Sequence, residues 1–86
     1  MEIKFEKDDS ITYAISQDCI YEGYLYEEII WAEIKHGHEG NYSVRFETAW
    51  DQPVYFSTEG EAKTFVLRNY SQYKPQPNGP RYPVKS

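Results

Sequence analysis

Polar and apolar residues alternate along the first part of the chain, and the period of the pattern changes near residue 59. From residue 2 to 7, Ile3 and Phe5 fall on one side and Glu2, Lys4 and Glu6 on the other, which is the period of a half-buried strand. Asp8, Asp9 and Ser10 make a turn, and Ile11, Tyr13 and Ile15 resume the alternation, so the chain opens on a hairpin. Over 42–49, Tyr42, Val44, Phe46 and Thr48 alternate strictly with Ser43, Arg45 and Glu47 and predict the clearest strand. A turn over 50–53 leads to a short returning strand over 54–56.

The segment 19–35 fits two periods. As a strand it sets Tyr24, Tyr26, Ile30, Ala32 and Ile34 on one face, and Tyr21, Leu25, Ile29 and Trp31 on the other. As a helix it aligns Tyr26, Ile29, Ile30 and Ile34, with Glu27 and Glu28 in a first turn where the helix dipole favours acids. A strand over 29–35 is preferred, because the 42–49 strand offers it a partner across the loop of Gly37, Gly40 and Asn41.

After residue 57 the period lengthens. Thr58, Glu59, Gly60 and Glu61 match a capping box, in which the Thr hydroxyl accepts from the Glu61 amide. Ala62, Phe65, Val66, Tyr70 and Tyr73 then recur at helical spacing, one apolar stripe that should cover a face of the sheet. Pro75, Pro77, Pro80 and Pro83 exclude helix and central strand from the last segment. The expected fold class is therefore α+β: a small, mainly antiparallel sheet of four or five strands with one amphipathic C-terminal helix on one face. The domain spans 1–73 and a Pro-rich basic tail spans 74–86.

Composition adds the nature of the core. An 86-residue chain buries roughly 60–65% of the surface its unfolded form exposes, so the core must come from large side chains. Nine Tyr, four Phe and two Trp supply them, while leucine occurs only at Leu25 and Leu67. A single cysteine, Cys19, forms no internal disulfide and suits a reducing compartment. The first residues are charged where a secretory leader is apolar, and no run approaches the ~20 apolar residues of a membrane span. The expected location is cytoplasmic.

Charge divides the chain into blocks. Residues 18–61 hold ten carboxylates against Lys35 and Arg45, a net of −8, whereas the last 25 residues hold five bases and no acid. Such polarity speaks to partners rather than to fold. The cluster His36, Gly37, His38, Glu39 has metal-ligand residue types, but an i, i+2 pair in a glycine loop lacks the further converging ligands a metal needs. Cys19 sits between acids, which raises a thiol pKa and opposes nucleophilic use. Glu27 and Glu28 are adjacent and point apart, so they make no acid–base dyad. No phosphate-binding loop is present. The expectation is a non-enzyme with no cofactor and no metal site.

Two surfaces with binding character remain. In the first, Glu22, Glu27 and Glu28 interleave with Tyr24, Tyr26 and Trp31, with Glu33, Glu47 and Asp51 nearby in sequence. Carboxylates in series can imitate the phosphate charge that a basic groove reads, and neighbouring rings can stack on Arg or Lys. In the second, Lys63, Arg68, Lys74, Arg81 and Lys85 interleave with Tyr70, Tyr73 and Tyr82, the ingredients of single-strand nucleic-acid binding. A sequence pI near 4.9 opposes that second reading. In size, acidity, tyrosine content and architecture the chain resembles the small acidic inhibitor proteins of bacteriophages, the anti-CRISPR type among them. The resemblance implies a protein-binding inhibitor that occupies a basic nucleic-acid-binding site on a partner. A self-associating module is the alternative, with the 42–49 strand as a free edge for a homodimer.

Overall fold

The computed structural model describes residues 2–49 and 51–84, the side chain of Glu39 excepted. Trp50 in the expected 50–53 turn and Lys85 of the basic run lie outside these residues. The fold is α+β, as the periodicities imply. Strands β1 (Lys4–Asp8), β2 (Ile11–Tyr21), β3 (Tyr24–His36), β4 (Tyr42–Phe46) and β5 (Val54–Phe56) pair in chain order, all antiparallel. Helix α1 (Glu59–Asn69) crosses one face, and a sixth strand, β6 (Gln76–Pro83), pairs with β3.

The ambiguous segment is all strand. At 13 residues and about 3.3 Å each, β3 runs roughly 43 Å, nearly the 48 Å long axis of the molecule. It reverses from β2 through Glu22 (φ 50) and Gly23 (φ 84), the paired left-handed conformations of a tight two-residue hairpin turn. One edge of β3 is taken by β2. The other edge is shared, with β6 along 24–30 and β4 along 32–36.

Two interruptions explain why no single period runs through this segment. Ala14 pairs with Ala32 but Ile15 pairs with Ile30, so Trp31 is an extra residue in β3. Further along, Asp18 takes φ 48 in β2, and the β3–β6 register slips between Tyr26 and Glu28, near Gly79 (φ 87). Each break re-aims the side chains beyond it. Tyr24, Tyr26, Ile29, Trp31, Ala32 and Ile34 consequently all join the core on the helix side, at irregular steps that no unbroken alternation would give.

That core is aromatic. Trp31 meets Tyr70 edge-on at 5.0 Å and Tyr21 at 6.1 Å, and Phe46 stacks on Tyr73 at 4.0 Å. The buried Trp31 Nε1 donates to Ser16 Oγ (2.8 Å), which itself donates to the Glu2 carbonyl (2.9 Å), so the indole is buried with its polar group satisfied. Of the helix stripe, Ala62 and Val66 are fully buried, while Phe65, Tyr70 and Tyr73 pack half-buried at its margins. The Thr58 cap forms: Glu61 N donates to Thr58 Oγ1 (3.2 Å), and the Glu61 carboxylate reaches back to the Thr58 hydroxyl, which donates to Oε1 (3.0 Å). The helix ends earlier than its stripe and continues as a 3-10 turn over Tyr70–Gln72.

Two expectations change. The Pro-rich segment read as a tail is mostly the strand β6, an edge strand with a single neighbour, where missing proline N–H groups are tolerated. The 42–49 strand is not a free edge over its first half: β4 lies between β3 and β5, and Tyr42, Ser43 and Val44 are paired on both sides. Among the described residues, no helix is long and apolar enough to cross a membrane.

Candidate protein-binding face

The sheet face away from α1 carries the charge. Its register sets Glu6 beside Tyr13, Tyr13 beside Glu33, and Glu33 beside Arg45, one row across four strands. The next row runs Lys4, Ile15, Ile30, Gln76, and the one after it Gln17, Glu28, Asn78. Together they form a groove of about 450 Å³ with a floor of Tyr13, Ile15 and Ile30. Its walls hold five carboxylates, from Glu6, Asp8, Glu28, Glu33 and Glu47. At about 4.8 Å per strand, Glu6 on β1 and Glu33 on β3 stand roughly 10 Å apart, within a Debye length at 0.1 M salt.

The groups of the groove feel one another. Partial burial raises the Glu33 carboxyl above its ordinary range, against the opposing pull of Arg45 and Lys35. Burial also raises the Tyr13 phenol, and the charges of Glu33, Asp8 and Glu47 push it the same way. Glu28 is oriented by Asn78, whose Nδ2 donates to Glu28 Oε2 at 2.9 Å. The result is a negative, half-dry concavity suited to receive cations.

Of the expected contact residues, Glu28, Glu33 and Glu47 are brought together here. Glu22 is exposed at the tip of the β2–β3 turn, Glu27 is exposed beside the Asp18 irregularity, and Asp51 is exposed between β4 and β5. The aromatic half of the expected surface is corrected. Tyr26 and Trp31 are buried on the opposite face in the core that α1 also joins, and Tyr24 is half-buried there with the Arg81 guanidinium 4.6 Å over its ring. The breaks at Asp18 and Trp31 turn these rings inward. Glu6, Asp8 and Tyr13 were not expected in the site, although the outward positions of Glu6 and Asp8 in the β1 alternation carry the signal.

Other candidates resolve into structure. His36 ends β3, where its Nε2 lies 3.1 Å from Thr12 Oγ1 and 3.7 Å from Glu59, and its ring packs edge-on against Tyr42. Among the described residues no cluster of three or more His, Cys, Asp or Glu side chains is placed to hold a metal. Burial, with a smaller contribution from Asp18, raises the Cys19 thiol, which opposes reactivity. A wider concavity of about 600 Å³ between β5 and α1 is lined by Phe56, Phe65 and Arg68, but Glu61 on its rim is engaged in the helix cap. No protein-family model matches the chain, and neither does any curated protein or solved structure.

Proposed function

We propose that this chain is a non-enzymatic protein-binding module that inhibits a nucleic-acid-handling partner by laying its acidic sheet face over the partner's basic binding site. The observation that carries the reading is the convergence of Glu6, Asp8, Glu28, Glu33 and Glu47 on one open face, around a small apolar floor. Nucleic-acid sites bind mainly through Lys and Arg aimed at phosphates, and a rigid array of carboxylates competes for the same cations. Rigidity matters, because side chains fixed on strands lose little further freedom on binding.

Capture on the immobilised chain from a bacterial lysate, at low and moderate salt, identifies the partner. Competition against the partner's own DNA or RNA then tests the mechanism. The nucleic acid should leave as this chain binds, binding should weaken with salt, and the triple reversal Glu6→Lys, Glu28→Lys, Glu33→Lys should abolish competition with the fold intact. A partner that holds nucleic acid and this chain at once would sink the reading.

A further inference from the structure

The open face does not end at the acidic groove. Beyond the Asp18 break, Ile20, Leu25 and Tyr82 pair side by side across β2, β3 and β6. Tyr21, Tyr24 and Tyr26 turn to the helix side there, so the intervening Ile20 and Leu25 point to the same side as the groove. All three are exposed, Ile20 at 58%, Leu25 at 38% and Tyr82 at 51%, and Val84, also exposed, is held nearby by its N–H to the Gly23 carbonyl (3.0 Å). A contiguous apolar row on an open sheet face is a contact surface in waiting.

We infer that the groove and this row form one docking surface for an amphipathic basic helix of the partner, with its Lys and Arg side chains over Glu28 and Glu33 and its apolar side chains over Leu25 and Ile20. This deepens the proposed function and rests on it. The dimensions fit a helix. From Leu25 to Glu33 is eight steps of β3, about 26 Å, the length of roughly 17 helical residues. A helix about 10–12 Å across covers two to three strands at ~4.8 Å spacing, the width of the floor. Charge decides against a second copy of this chain, since two such faces would set carboxylate against carboxylate. It favours the kind of basic helix that enters a DNA major groove, which is also the element whose loss would release nucleic acid.

The test uses two synthetic 18-residue helical peptides titrated against the full chain by fluorescence anisotropy. One carries Lys on one half and Leu on the other, and its sister has each Leu replaced by Gln. The Leu peptide should bind at least ~10-fold tighter and keep more of its affinity as salt rises, because apolar contact is not screened. The double variant Ile20→Ser, Leu25→Ser should erase the difference between the peptides, with a melting curve to verify its fold. Equal affinities for the two peptides, or a difference that survives in the double variant, overturns the two-part surface. If the Glu28 and Glu33 reversals still abolish competition with nucleic acid, the acidic-face reading stands without it. Indifference of both peptides to those reversals overturns both.

Discussion

The two faces of this sheet are built by the same strands and obey opposite physics. On the helix side, breaks in alternation gather Tyr24, Tyr26, Ile29, Trp31, Ala32 and Ile34 into one ring-rich core shared with Ala62 and Val66 of α1. On the open side, β2 and β3 present Glu28, Glu33 and Tyr13 around Ile15 and Ile30 in an open groove. The first face is stabilised by removing apolar area from water, at about 25 cal/mol per Å². The second gathers five carboxylates around the groove, with Lys4 3.6 Å from Glu6 and Arg45 opposite Glu33. In a small domain with a thin core, exposed charges of this kind add little to folding. The comparison separates a face that buries apolar area from one that keeps its charges in water.

The difference is broken most severely by Trp31→Ala. The indole lies between Tyr21, Tyr70 and Ser16, and its loss should destabilise by about 3–5 kcal/mol, read as a collapse of the urea midpoint. That is a large share of a small domain's stability. A loss comparable to that of an exposed substitution would mean that this face is not the core. Next comes Ser16→Ala, which leaves the indole N–H without its partner and frees the Glu2 carbonyl. A buried donor left unpaired costs about 1–3 kcal/mol, and chemical denaturation of the variant measures it.

The face that folds was legible in the 2–7 and 42–46 alternations but not in β2, whose apolar Tyr13 and Ile15 lie on the open face, and the helix was legible from its cap and stripe. Thr58, Glu61, Ala62 and Val66 do what their spacing implies. Legibility failed at single residues. Trp31 is an extra residue in β3, and Asp18 adopts a left-handed conformation with no glycine to announce it. Each flips the side chains beyond it, so Tyr26 and Trp31 read as surface when they are core. The acidic face was half legible: Glu28, Glu33 and Glu47 were in view, whereas Glu6, Asp8 and Tyr13 arrive through β1–β2–β3 pairing, which block-wise charge counting does not see. The prolines of β6 concealed a strand, because proline argues against strand everywhere except at an edge.

A smaller effect is expected at the element that closes the core. Thr58→Ala removes the acceptor for the Glu61 amide and should cost about 1 kcal/mol, lowering the melting temperature by a few degrees. Thr58→Asp should recover most of it, since Asp accepts the same bond and suits the helix N-terminus. Failure of Asp to rescue would mean that the loss comes from packing of the Thr methyl and not from the cap.

The smallest effect sharpens the comparison from the charged side. Glu33 is half-buried and its carboxyl is raised above its ordinary 4.5, mainly by burial, with Arg45 and Lys35 pulling the other way. A carboxyl raised on folding binds protons more tightly in the folded state, so its ionisation opposes folding: the penalty is full above the raised pKa and absent below 4.5. Glu33→Gln should therefore stabilise slightly at pH 7, by less than about 0.5 kcal/mol for so open a site. The gain should vanish as pH falls through the raised pKa, where the native side chain also becomes neutral. Urea midpoints of the two proteins at pH 7 and below pH 4.5 give the comparison directly. A gain that persists unchanged in acid would assign it to the amide's hydrogen bonding rather than to the lost charge. A loss at pH 7 would show that the attraction of Arg45 outweighs burial, and that this carboxylate contributes to the fold as well as to the face it presents.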